Sequence, residues 1–384
     1  MIVNATTPAD VRTAVLTAHE RRLPLTVYAT GHGGPMPTGE DTVVVTTSEM
    51  TGVLVDPDRR TARVGAGTRW ADVIAAAAPF GLAPLSGTSP TVGVVGYTLG
   101  GGLGWLSRRF GFAADSVLRA EIVTADGESR TVTPDQNPDL FWAIRGGGGN
   151  FGVVTSLEFR LHPVHTVHAG TAKFSLDRAA DILTRYRETA PEMPDALTAN
   201  IVLTKDSVAI RGMYAGSASD ARRALAPLFE VAGTPRETTW QTIPYTESGT
   251  VGGMAPRQFT YQAALPDAVI EAAIEAVHGE ANGVEFRTWG GAMSRPGADP
   301  APVGHRDVPF SVVIDGPPVP TITAAATGGA FLNWLPDPTR VSTAYTPSDY
   351  ARLQNVKLTH DPENLFRPVK HIAPATPALA RLGA

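Results

Sequence analysis

The chain contains no cysteine. That absence excludes disulfide bridges, thiolate nucleophiles, iron–sulfur clusters and thiolate zinc sites together. No uninterrupted apolar run approaches the ~18 residues of a membrane-spanning helix. The opening Met1-Ile2-Val3-Asn4 lacks the charged and apolar regions of a secretory signal. No basic run is long enough to suggest nucleic acid or anionic lipid, and 32 Lys and Arg against 37 Asp and Glu leave a net charge of −5, the wrong sign for a polyanion-binding surface. Internal repeats and low-complexity tracts are missing. So are the G-x-x-x-x-G-K-[ST] of a P-loop and the G-x-S-x-G of a serine-hydrolase elbow. These absences lead to the expectation of a soluble, cytoplasmic protein with no nucleic-acid or membrane partner.

Glycine and proline, by contrast, are abundant: 39 and 32 residues, together about a fifth of the chain and above ordinary usage. Such a chain makes many tight turns and close backbone approaches. Its 384 residues, 43% hydrophobic and 18% charged, suffice for two domains or one large mixed fold.

The local patterning predicts a helix capped by Thr7, with Pro8 at its first position and Asp10 in its first turn. Val11, Val15, Leu16 and His19 are expected on its buried face. Strands are predicted at Leu25–Tyr28 and Thr42–Thr46, a hairpin over 53–64 about Asp56-Pro57-Asp58, and a second over 120–132 about Asp126-Gly127. Ala71–Ala78 reads as a helix and Val153–Leu161 as a strand. Beyond about Val167 the glycine motifs thin out. Helices at Asp177–Ala190, Ala218–Val231 and Asp267–His278 then alternate with strands at Leu197–Leu203 and Val208–Met213, an α+β pattern. Pro296–Pro309 reads as a loop, and Ser348–Val356 as a late helix.

Gly147-Gly148-Gly149-Asn150-Phe151-Gly152 satisfies G-x-G-x-x-G. The dinucleotide reading of that motif needs a helix after the glycines, whereas Val153 to Phe159 is a strand, so a Rossmann site is disfavoured. His162, His165 and His168 alternate across a strand direction and are interrupted by Pro163, so no metal site is expected there. The glycine loops are harder to set aside. Gly93 to Gly104 holds six glycines in twelve residues, a second loop is Thr30-Gly31-His32-Gly33-Gly34, and a third runs from Arg145 to Gly152. Each could be a set of tight turns. Together, flanked by strands, they suggest backbone N–H concavities around one extended, phosphate-bearing ligand.

These residues resemble the FAD-linked oxidases of the vanillyl-alcohol oxidase / p-cresol methylhydroxylase (PCMH) fold. Within them the chain is most similar to the berberine-bridge-enzyme-like group and its short bacterial members. The resemblance runs through Thr30–Gly33, Ala62–Trp70, Pro90–Gly104, Arg109–Asp115, Val123–Gly127 and Pro138–Arg145, and through Tyr350–Leu353 and Asp361–Phe366 near the end. It implies a two-domain α+β fold: an FAD-binding domain of two α/β subdomains over 1–165, a substrate domain with an antiparallel sheet and helices over 166–330, and a segment 331–384 that returns to the first. The N-terminal segment of many relatives is expected to be absent or very short.

By the same resemblance, His32 would bond the flavin 8α-methyl; the alternative is a turn histidine that satisfies a backbone group. Ser89 stands where many relatives carry a cysteine bonded to the flavin 6-position, so a single covalent bond is expected. The cradle would comprise Ala29, Thr30, Gly31, Gly33, Gly34, Gly87, Thr88, Ser89, Val92, Gly93, Gly96, Tyr97, Gly100, Gly101, Asp115, Gly149, Gly152, Val153 and Val154. Relatives that oxidise sugars use the second tyrosine of a Tyr-x-Asn-Tyr segment as base. Here the segment is Phe331-Leu332-Asn333-Trp334, and tryptophan cannot accept a proton. Tyr97 and His305 are the other catalytic candidates, as substitute base and loop-borne imidazole. Tyr97 could equally be a packed aromatic, and His305 a loop brace. The implied activity is hydride removal from a C–H bond of a small organic molecule, an amine, alcohol or secondary metabolite, with O₂ as acceptor. A flavin-dependent dehydrogenase and a redox-silent cyclase or binding scaffold are the alternatives.

Overall fold

Short strands rich in β-branched residues begin the chain. β1 (Ile2–Asn4), β2 (Leu25–Tyr28) and β3 (Val43–Thr46) form a parallel sheet in the order β1-β3-β2. Helix Pro8–Arg21 connects the first two, started by a capping box in which Thr7 Oγ1 accepts from Asp10 N–H and the Asp10 carboxylate accepts from Thr7 N–H at 2.8 Å. Its buried stripe is Val11, Ala14, Val15 and Ala18. The prediction is corrected at two positions: Leu16 turns toward the Gly127 turn, and His19 is exposed. At 100° per residue the two small alanines, not the larger side chains, line up with Val11 and Val15.

The computed structural model describes residues 1–376 apart from 35, 37, 38, 40, 255 and 256. After the parallel sheet come β4 (Val53–Asp56), β5 (Thr61–Gly65), β6 (Val117–Val123), β7 (Ser129–Val132) and β8 (Val153–Arg160), an antiparallel sheet in the order β4-β5-β8-β6-β7. Both predicted hairpins are here. The β6–β7 turn has Gly127 at φ +77°, the left-handed conformation that favours glycine.

The remaining strands are β9 (Thr166–Ser175), β10 (Leu197–Thr204), β11 (Ser207–Tyr214), β12 (Glu237–Thr238), β13 (Gln241–Pro244), β14 (Gln258–Gln262), β15 (Gly283–Thr288) and β16 (Phe310–Asp315). They build one antiparallel sheet, β12-β9-β11-β10-β15-β16-β14, with β13 also on β9. Period-two alternation gives this sheet two characters. Leu197, Ala199, Ile201 and Leu203 of β10 and Val284 and Phe286 of β15 share a core with helices Ala179–Thr189, Ala218–Ala232 and Asp267–His278. Each fully buried Leu, Ile or Phe there contributes about 1.5–3 kcal/mol. The intervening residues, Thr198 and Asn200 on β10 and Glu285 and Arg287 on β15, point to the other face, toward the glycine-rich half of the chain.

Strand β9 belongs to both cores: Val167 and Ala169 pack with the β5–β8 sheet, Ala172 and Phe174 with the helices. The late segment closes back on the start. Leu25 N–H donates to Leu365 C=O at 2.8 Å and Arg367 N–H to Leu25 C=O at 2.9 Å, adding a short bridge beside β2. Helix Pro347–His360 places Lys357 in the interior, where its ammonium donates to Asp361 Oδ2 (2.5 Å), Asn150 C=O (2.7 Å) and Phe366 C=O (2.8 Å).

Candidate functional site

The three glycine loops meet. The first follows β2, the second surrounds helix Val94–Leu99, and the third is the Gly148–Asn150 turn, which packs against that helix. His32 is exposed at the first turn, between Gly31 (φ +84°) and Gly34 (φ +135°). Its Nε2 lies 3.0 Å from Thr91 Oγ1, and Thr91 Oγ1 lies 2.9 Å from Ser89 Oγ. His32 and Ser89, 57 positions apart in the sequence, are thus held on one hydroxyl. Behind them Gly93 N–H donates to Thr30 Oγ1 at 3.2 Å.

The glycines divide into two kinds. At Gly104 an added Cβ would sit 1.9 Å from Ser86 C=O, at Gly152 2.5 Å from Val123 C=O, and at Gly100 2.4 Å from Asn333 Nδ2. These let chain segments touch. At Gly33, Gly34, Gly96 and Gly149 a Cβ would meet nothing within 4 Å. These four, one or two on each loop, bare their backbone to open space. Such a surface, lined by main-chain amides and free of side chains, suits a flat ring system with a phosphate tail. The residues present fit FAD on that ground. Of the other expected contacts, Val153 and Val154 are buried in the core, while Ala29, Thr88, Ser89 and Val92 are half-buried beside the cradle.

Asp115 is paired within the protein. Its two carboxylate oxygens accept from Arg306 at 2.7 and 2.9 Å, and one also accepts from Phe112 N–H at 3.1 Å. The carboxylate therefore ties the glycine-rich half to the 296–309 loop.

The candidate catalytic residues are not brought together around one reacting point. Tyr97 stands edge-on to Trp70, ring centroids 5.4 Å apart, against Gly87, Gly102 and Gly104. Its hydroxyl is buried without a partner, and burial, reinforced by the Tyr245 hydroxyl, holds the phenol pKa well above its ordinary range. The packed-aromatic reading describes it, and it is corrected as a base. Asn333 donates through Nδ2 to Tyr97 C=O (3.1 Å) and accepts at Oδ1 from Gly102 N–H (2.9 Å); it positions the second glycine loop. The Lys370 ammonium donates to Leu332 C=O and Asn333 C=O, and burial lowers its pKa to about 8. Trp334 lies in an aromatic cluster with Phe259 and Phe331, with the Arg287 guanidinium 4.6 Å from its ring centroid. His305, at φ +57°, has Nε2 2.8 Å from Thr343 C=O and its ring 5.3 Å from that of Tyr261. It braces a loop. The three spaced histidines diverge as well: His162 stacks on Phe110 at 4.1 Å while His168 faces Thr242 and Trp240. Among the described residues no group of three His, Asp or Glu is placed to hold a metal.

Residues that the sequence reading passed over, with Thr88 of the expected cradle, line a cleft between the second glycine loop and the polar face of the large sheet. Thr88, Leu103, Gly104 and Trp105 form one wall, and Arg108, Thr198, Asn200, Arg287, Thr288 and Met293 the other. Behind Asn200, the buried Glu285 accepts from Asn200 Nδ2 (2.6 Å), Met254 N–H (3.1 Å) and Arg287 (3.1 Å). Arg108 donates to the carbonyls of Leu197 and Met193, at 2.7 and 2.9 Å, and of Trp289. A signal for the sheet wall was present: polar residues at alternate positions of two otherwise apolar strands, Leu197–Thr204 and Gly283–Thr288.

Residues 1–133 match the FAD binding domain family. The (R)-6-hydroxynicotine oxidase of Paenarthrobacter nicotinovorans is 28% identical over 424 residues, covering 97% of this chain and 91% of that one. Among solved structures, 6-hydroxy-D-nicotine oxidase from Arthrobacter nicotinovorans superposes with a TM-score of 0.83 at 25% identity, over 95% of this chain and 90% of the other. Physcomitrella patens BBE-like 1 does so with 0.86 at 22% identity, over 98% and 91%. With the amide-lined cradle and the antiparallel sheet facing it, these likenesses give the chain an FAD binding domain in a PCMH-type fold and support an FAD-dependent oxidase, similar to the berberine-bridge-enzyme-like proteins.

Proposed function

We propose that this enzyme takes hydride from a C–H bond of a small, neutral organic molecule, an amine above all, passes the electrons to O₂, and carries its FAD on a single covalent bond through His32. The observation that carries the tether is the exposed imidazole at the first glycine turn, its Nε2 held 3.0 Å from Thr91 Oγ1. When bound, FAD supplies the oxidised ring that accepts the hydride. The chain's own residues do the rest. His32 anchors, Gly33, Gly34, Gly96 and Gly149 present bare backbone, and Asn333 holds the second loop in register. Ser89 has no sulfur for a second tether.

That none of Tyr97, Trp334 and Glu285 offers a free base supports an amine substrate. The phenol of Tyr97 is kept protonated, Trp334 has no basic atom, and Glu285 is engaged by three donors. Alcohol oxidation needs a group to take the hydroxyl proton, whereas a neutral amine gives up hydride through its nitrogen lone pair without one.

Acid precipitation tests the tether. Yellow colour should stay with the denatured wild type, and His32→Ala should yield flavin that washes free. Free FAD released from the denatured wild type would refute the attachment. Peroxide formed one-for-one with substrate consumed supports O₂ as acceptor; turnover with a dye but not with O₂ overturns it.

A further inference from the structure

The cleft contains two buried polar atoms with no partner. Asn200 and Arg287 are directly opposite each other on β10 and β15 and share the polar face of the sheet. They are 5% and 7% exposed, and both line the cleft. Asn200 Nδ2 donates to Glu285 at 2.6 Å, and a carboxylate can only accept. This fixes the amide orientation, so Asn200 Oδ1 is an acceptor with no donor. Arg287 Nη2 donates to both Met254 C=O and Glu285 at 3.1 Å, and Nε–H is left buried without an acceptor. Its stacking on Trp334 holds the guanidinium plane. The outcome is a buried donor, Arg287 Nε–H, and a buried acceptor, Asn200 Oδ1, both without partners at paired positions of one sheet face, an arrangement that native proteins rarely leave unsatisfied.

We propose that Asn200 and Arg287 form a two-point subsite for a neutral amide edge of the substrate, the C=O and N–H of a lactam or carboxamide, with C=O accepting from Arg287 Nε–H and N–H donating to Asn200 Oδ1. A carboxylate would satisfy Arg287 but set a negative oxygen against Asn200 Oδ1. An ammonium would satisfy Asn200 but meet the guanidinium, in a cleft where Arg108 and Arg287 outnumber Glu285. A ketone offers no donor. Only a group carrying both functions completes the wall. The inference rests on the reading of this cleft as the substrate site.

The test is calorimetric titration of the flavin-loaded protein with four five-membered-ring probes: 2-pyrrolidinone, cyclopentanone, pyrrolidine and cyclopentanecarboxylate. The lactam should bind at least about tenfold more tightly than the other three. Arg287→Lys keeps the charge and removes Nε–H, and should abolish that preference; Asn200→Leu should bring 2-pyrrolidinone down to cyclopentanone. Should Asn200→Leu fail to fold, the lysine variant decides alone. Carboxylate or ammonium binding as tightly as the lactam, or a lactam preference that survives Arg287→Lys, overturns the subsite. Lactam-selective binding by a protein that forms no peroxide with any amine keeps the subsite and refutes the oxidation reading, while peroxide formation without lactam preference does the reverse.

Discussion

At the level of single residues, burial decides which groups can do acid–base work. The Tyr97 hydroxyl is buried without a partner, so removing it leaves no polar group stranded. Tyr97→Phe should therefore leave turnover within about twofold and thermal stability equal or slightly higher. A residue acting as general base would instead lose about 10²–10⁴-fold, and steady-state kinetics separate the two. His162 makes the opposite point. Burial, then the charges of Arg160 and Arg109, lower its pKa from 6.5 to about 4. A folded-state pKa below the unfolded one means that the unfolded chain binds more protons between those values. The stabilisation is complete above pH 6.5 and is lost as pH falls toward 4. Melting curves at pH 7, 5.5 and 4.5 should show that decline, and His162→Phe, which preserves the stack on Phe110, should flatten its contribution.

Among the elements, the glycine loops give two contrasting outcomes. Gly104→Ala forces Cβ into Ser86 C=O, backbone against backbone; the loop must move, and the variant should lose both flavin and soluble yield. Gly96 lies in helix Val94–Leu99 with nothing within 4 Å of its would-be Cβ. Gly96→Leu should keep or raise the melting temperature of the flavin-free protein, because leucine favours helix over glycine by about 1 kcal/mol. Flavin content should fall roughly tenfold, since the side chain fills the space the ring needs. Flavin absorbance per protein, with circular dichroism melts, checks both. The loops themselves were legible as glycine runs between strands. Which glycines serve contact and which face the cradle was not, because that depends on what packs opposite each one.

Across the whole molecule, long-range polar ties hold the site in shape. Lys357 is fully buried with Asp361 and reaches both the third glycine loop at Asn150 and the returning strand at Phe366. Lys357→Met leaves the Asp361 carboxylate buried without its cation, which should cost about 3–5 kcal/mol in denaturant unfolding. Asp361→Asn in the same chain should recover part of that loss, as expected where an uncompensated charge is the main penalty. The Asp115–Arg306 pair does similar work between the two halves: a guanidinium 191 positions away in the sequence takes both carboxylate oxygens, a tie that no local motif announces.

Much of the secondary structure, the glycine loops and the flavin-binding character were written in residues close along the chain, because caps, turns and strand alternation depend on neighbours a few positions apart. The first helix already shows where such reading stops: its cap was legible in Thr7 and Asp10, but Ala14 and Ala18, not Leu16 and His19, form its buried face. The cleft was out of reach. Asn200 and Arg287 are 87 positions apart in the sequence, and only the pairing of β10 with β15 sets a bare acceptor beside a bare donor. Strand register depends on every contact the sheet makes, so a specificity built on it exists only once the whole chain has folded.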